Sequence, residues 1–243
     1  MLDLAGRSRL LDPERRFMVE SDQANFAEVE FKADSVYQAV IGRKPSQSSH
    51  RKGAVMSLTN LLVPTYKQML KTLSGWLDKA QAQMPEGRAE ALLSARLAPD
   101  MFPLSTQIRF ACVQAQEGVF RLKGEDFPVA IDALLDEGRN AGEHPGSIVD
   151  AQARIDETVA LLDDLAPGAL DADPESSIVH ALPAGMIFDL TAEQYARDWT
   201  LPQFYFHLII AYAILRSEGV DLGKADYVTH MFAYLRPGTM PSN

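Results

Sequence analysis

The chain has 243 residues, with 33 acidic against 23 basic side chains and a formal net charge of −10. That balance excludes general nucleic-acid binding, which needs a basic face to displace counterions from phosphate. The single cysteine, Cys112, excludes an internal disulfide and a cysteine-based zinc site.

The first 55 residues differ from the rest. They carry nine Lys/Arg and eight Asp/Glu, whereas the remainder carries 14 and 25. Within them "GRKPSQSSHRKG" (42–53) is basic and rich in helix breakers, as a linker is. Residues 1–55 are therefore read as an N-terminal extension, poorly ordered or an over-extended start, with Met56 as an alternative initiator. The N-terminus carries charges where a signal peptide needs an apolar core. No apolar run reaches the ~18–20 residues of a spanning helix. A cytoplasmic protein with no membrane and no nucleic-acid partner is expected.

From Met56 onward the pattern is helical. "PTYKQMLKTLSGWLDKAQAQ" spaces Tyr66, Met69, Leu70, Leu73, Trp76, Leu77 and Ala80 by threes and fours, one apolar face of a helix, with Pro64 placed in its first turn. A short helix follows in "EGRAEALLSARLA", and "APDMFP" breaks the chain. "LSTQIRFACVQAQEGVFRLKG" gives a second long helix with Leu104, Ile108, Ala111, Ala115, Val119 and Leu122 inward and Gly124 at its end. Cys112, in its interior, reads as a small buried hydrophobe. A short helical turn is expected around "VAIDALLDEG". "SIVDAQARIDETVALLDDLA" gives a third long helix, buried through Ile148, Ala151, Ile155, Val159 and Leu162. The acidic run "DDLAPGALDADPE" (163–175) is read as a solvated loop.

"SSIVHALPAGMIFDL" then changes period. Ile178, His180 and Leu182 alternate with their neighbours, and so do Met186, Phe188 and Leu190, which predicts a β-hairpin. "TAEQ" (191–194) is a capping box opening the last helix, which Pro202 should kink or divide. That helix is apolar all round between Phe204 and Leu215, so a central, buried position is expected. The fold class is all-α: an up-down four-helix bundle with a crossover connection and a small β-hairpin before the last long helix. It occupies residues 56–230, and 231–243 form a C-terminal tail.

Two separated blocks, "ARLAPDMFPLSTQIRFA" (95–111) and "LPQFYFHLIIAYAILRSEGVDLGKADY" (201–227), closely resemble the signature blocks of an uncharacterised bacterial domain-of-unknown-function family in the DinB/YfiT-like superfamily. The resemblance covers residues 56–230. It implies a four-helix bundle and a homodimer, among relatives that include metal-dependent thiol transferases and a maleylpyruvate isomerase. The metal-bearing relatives use one histidine on the second helix and two, at i and i+4, on the last. Here His207 matches the first of that pair, Ala211 stands where the second would be, and the second helix offers only Gln107 and Gln114. No cofactor is certain; a divalent metal, Zn or Ni, would have His207 as its ligand in a degraded site.

The polar members of the two blocks are Asp100, Gln107, Arg109, Tyr205 and His207, and these are the pocket candidates. Asp100 facing His207 would fix its tautomer. Arg109 would pair with a carboxylate or hold an anion, and Trp199 could rim an entrance. His207 reads equally as a core imidazole with a hydrogen bond. His180 could turn into the bundle from the hairpin, whereas His50, His144 and His230 read as solvent-facing. No catalytic residue can be assigned. A small-molecule ligand is the expected partner, with a thiol-linked transferase or isomerase as the enzyme form and a non-catalytic structural homodimer as the alternative.

Overall fold

The computed structural model describes residues 57–239 apart from 86, 172, 174, 175, 183 and 184. The extension read over 1–55 lies outside the described residues. The chain divides into two units. The larger, Met56–His180 with Phe188–Asn243, holds the helices; the described part of the smaller is the hairpin turn between Ala181 and Ile187.

Four long helices form the body: α1 (Leu58–Gln83), α3 (Leu104–Lys123), α5 (Ile148–Asp163) and α7 (Leu201–Ser217). Around them lie α2 (Arg88–Ala91), α4 (Val129–Asn140), α6 (Ala192–Gln194) and α8 (Lys224–Tyr227). α3 packs between α7 and α5, and α1 closes the bundle by packing against the same two. Every residue predicted to face inward from α3 and α5 is buried, because a 3.6-residue period brings them onto one face. Gly124 ends α3 with φ +68°, a conformation that costs glycine little.

Several expectations need correction. Pro64 is not in the first turn, since α1 begins at Leu58 and Pro64 lies inside it. The true cap is Ser57, whose Oγ accepts from Asn60 N at 3.0 Å. Across the fold, Asp171 accepts from Ser57 Oγ at 2.7 Å and from Thr59 N at 2.8 Å. The acidic loop is thus not merely solvated; one carboxylate satisfies the positive end of α1. The "short turn" at 129 is a full helix of 12 residues.

The hairpin pairs β1 (Ser177–Ala181) with β2 (Ile187–Thr191). Its open end is set by Ala192 N donating to Ser176 O at 3.0 Å. In an antiparallel register this puts His180 opposite Phe188 on one face. Thr191 and Gln194 form the predicted capping box. The helix then widens into a π-helix over Tyr195–Thr200 before α7. Pro202 explains the widening. It has no N–H to donate, and its ring would collide with the Asp198 carbonyl in a regular α-helix.

α7 is not buried all round. Phe204, His207, Leu208, Ala211, Ile214 and Leu215 face the core, whereas Phe206 is 52% and Ile209 49% exposed. Uniform apolarity gives a helix no preferred face, so the sequence could not say which side would stay open. No helix among the described residues is long and apolar enough to cross a membrane.

Candidate functional site

The five residues singled out from the sequence do not converge. His207, on the core face of α7, meets Gln107 of α3: its Nδ1 lies 2.9 Å from Gln107 Oε1. Gln107 Nε2 donates to Phe102 O at 3.3 Å, which leaves the amide oxygen as acceptor and places the imidazole proton on Nδ1. The rings of Phe110 and Phe206 stand edge-on to the imidazole at 5.3 Å each. Burial holds His207 well below its ordinary pKa, at about 4, so it is neutral near pH 7.

The other three lie elsewhere. Asp100 is exposed, in the segment before α3, and does not orient His207. Arg109 is only 1% exposed, and its partners are structural. Its Nε donates to Glu137 Oε1 at 2.6 Å, and its Nη1 to Ser105 Oγ at 2.7 Å. Glu137 Oε2 also accepts from Arg154 Nε at 2.9 Å. One carboxylate of α4 thereby ties α3 to α5, and no cation is left over for a ligand. Tyr205 is half-buried against Phe204, with ring centroids 5.7 Å apart.

A divalent cation does not fit at His207. The one free donor is Nε2, the residue a turn further on is Ala211, and the surrounding rings are apolar. Among the described residues no three His, Cys, Asp or Glu side chains come together as a metal would need. Cys112 is buried in α3, and burial pushes its thiol up to about 12.

A different constellation does converge. It joins α3, β1 and the π-helix. Period two turns His180 inward beside Ile178, and His180 is 4% exposed. Its ring lies 4.2 Å from that of Trp199 and 5.6 Å from that of Tyr195, and Phe188 stands 6.0 Å from Trp199. Neither imidazole nitrogen has a hydrogen-bond partner. Burial first, then the nearby Arg121 charge, lowers His180 to about 4. Tyr195 is fully buried and its hydroxyl also lacks a partner. Arg121 stands close to that hydroxyl, yet no aligned bond forms.

α3 supplies the facing stripe: Gln114, Glu117, Gly118 and Arg121 follow at spacings of three and four. Arg121 lays its guanidinium over the Phe127 ring at 4.8 Å, and its Nε is buried without a partner, as is Gln114 Oε1. Glu117 is raised by burial, against the pull of Arg121 and Arg139. Gly118 lets the elements meet, because a Cβ there would lie 2.6 Å from Thr200 Oγ1. Thr200 in turn holds Tyr66 Oη at 2.9 Å and the Gln114 carbonyl at 3.3 Å.

Buried polar atoms almost always have partners, and leaving one without costs about 1–3 kcal/mol. Here atoms of His180, Tyr195, Arg121 and Gln114 break that rule along one seam, beside a π-helix. A separate cleft of about 470 Å³ lies between α1 and the C-terminal turns, bordered by Lys71, Trp76, Asp226 and His230. The tail histidine is thus not simply solvent-facing, since its Nδ1 is buried. Gln68, Thr72 and Thr229 also line that cleft.

The sequence profile of the Domain of unknown function (DUF1993) family matches residues 58–228. The chain belongs to this family. A solved structure of a DinB family member from Shewanella denitrificans is also similar. It is 29% identical, superposes with a TM-score of 0.58, and the match covers 76% of this chain and 96% of that one. The DUF1993 chain is therefore a DinB-like protein with the helical fold expected from its two signature blocks. No curated protein matches it.

Proposed function

We propose that this DUF1993 protein binds a small molecule at the seam of α3, β1 and the π-helix. The observation that carries this is His180: a neutral imidazole, almost wholly enclosed, with both nitrogens lacking partners. An imidazole has one N–H and one lone pair, and a fold that buries both unmatched loses stability unless something supplies the complement. The chemistry this set supports is hydrogen bonding and proton transfer. Attack by a protein thiol has no support, because the chain's one thiol is buried in the bundle. Among the described residues the thiol-linked, metal-dependent form has no ligand set to rest on.

The test is a fragment screen by ligand-observed NMR on the full chain and on His180→Leu. Hits that disappear in the variant support the reading. Hits that persist unchanged, or none in either protein, count against it.

The exposed pair Phe206 and Ile209 on α7 favours a second reading, a homodimer formed through that face. Sedimentation of the full chain beside Ile209→Glu tests it. A dimer that becomes a monomer supports the idea, and a wild-type monomer ends it.

A further inference from the structure

Resting on that binding reading, we infer that the ligand presents a single carboxylate, received by Arg121, Tyr195 and His180. Three donors of different chemistry face one seam there. Arg121 is a permanent cation stacked on Phe127, with Nε unpartnered. In a guanidinium, Nε and the adjacent Nη form the side edge that donates two parallel bonds to a carboxylate. Tyr195 keeps its proton, because burial pushes its pKa above the ordinary range. His180, neutral, contributes one N–H. A carboxylate has two oxygens and about four lone-pair directions, enough to meet all three.

Charge selects against a more highly charged anion. Arg121 is opposed by Glu117 one turn earlier on the same stripe, so the seam holds at most one net positive charge. A phosphate dianion would be under-compensated. Burial raises Glu117, a direction that lessens its repulsion of a bound carboxylate. Trp199 and the Tyr195 ring give the rest of the ligand a flat apolar wall, which suits a planar or aromatic acid.

The test compares three probes on the full chain by isothermal titration: benzoate, benzamide and inorganic phosphate. Benzamide keeps the shape of benzoate without its charge, and phosphate keeps charge without the shape. The expected result is binding of benzoate at least tenfold tighter than of either other probe, weakened at least tenfold by Arg121→Gln and unaffected by His207→Gln. Arg121→Lys, a milder change, should retain part of the affinity. Benzamide binding as tightly as benzoate, with Arg121→Gln indifferent, overturns the carboxylate while leaving a small-molecule site standing. Phosphate binding as tightly as benzoate overturns it too. Binding of none of the three, together with a fragment screen that finds nothing sensitive to His180, sinks both this inference and the reading beneath it.

Discussion

Replacing Tyr195 with phenylalanine removes one oxygen and little else. In an ordinary core tyrosine the hydroxyl has a partner, and its loss costs about 1 kcal/mol. At Tyr195 the ring is fully buried and the oxygen has no partner, with Arg121 near it but unaligned. The desolvation cost of an unsatisfied hydroxyl, about 1–3 kcal/mol, is then refunded by the change. Because Arg121 recovers a fraction of that cost electrostatically, the lower half of the range applies, about 1–2 kcal/mol of added stability. For a domain of this size each kcal/mol moves Tm by about 2–4 °C. Urea unfolding at fixed m value, with thermal melts alongside, reads the effect directly. The variant should be more stable and should bind benzoate more weakly, the signature of a group kept for binding at the expense of stability. If Tyr195→Phe is less stable than the parent, the hydroxyl is held by Arg121 or an interior water, and the seam is a structural polar core.

Three further outcomes follow from the packing. Arg109→Ala should destabilise by about 1.5–3 kcal/mol in urea unfolding, because it removes the charged bond from α3 to Glu137, which keeps only Arg154, while benzoate affinity measured on the folded fraction stays constant. Gly118→Ala gains about 1 kcal/mol of helix propensity. It also forces a Cβ to 2.6 Å from Thr200 Oγ1, which Tyr66 and the Gln114 carbonyl hold in place. Overpacking costs about 1–3 kcal/mol, so thermal melts should show a net loss. Acid should weaken the fold through the buried histidines. His207 is held at about 4 when folded, against 6.5 when unfolded. Between those values the unfolded chain binds the extra proton, so stability falls as pH drops from 6.5 towards 4. The slope is about 1.4 kcal/mol per pH unit for that residue. His180 acts in the same direction, whereas Glu117, raised in the fold, acts against it. His207→Gln should flatten the acid limb of stability curves taken from pH 7 to 4; an unchanged limb would mean His207 already carries its proton in the fold.

Much of the bundle was legible because it obeys a period. The buried stripes of α3 and α5, the Thr191 capping box and the break at Pro202 each rest on residues within a few positions of one another. What escaped depends on distant residues meeting. Ser57 becomes the cap of α1 in concert with Asp171, more than a hundred positions away. Arg109 was legible as a polar residue in an apolar helix, but its partner Glu137 sits in a stretch where only a turn was expected. The seam was least visible. Glu117 and Arg121, one turn apart, look like any solvated helix face until the hairpin and π-helix close over them. Its one local signal was the alternation of His180 with Ile178. His207 attracted notice because it interrupts the most apolar run of the chain, yet Gln107 already satisfies its Nδ1.

A ligand bound at the seam must perturb His180 and not His207. Benzoate titrated into the full chain with isotope-labelled histidines, followed by imidazole ¹³C–¹H spectra, reports on His180 and His207 at once, with His180→Leu and His207→Gln giving the assignments. A saturable shift of the His180 resonance with His207 unmoved is expected. A shift of His207 alone, or of neither, would contradict it.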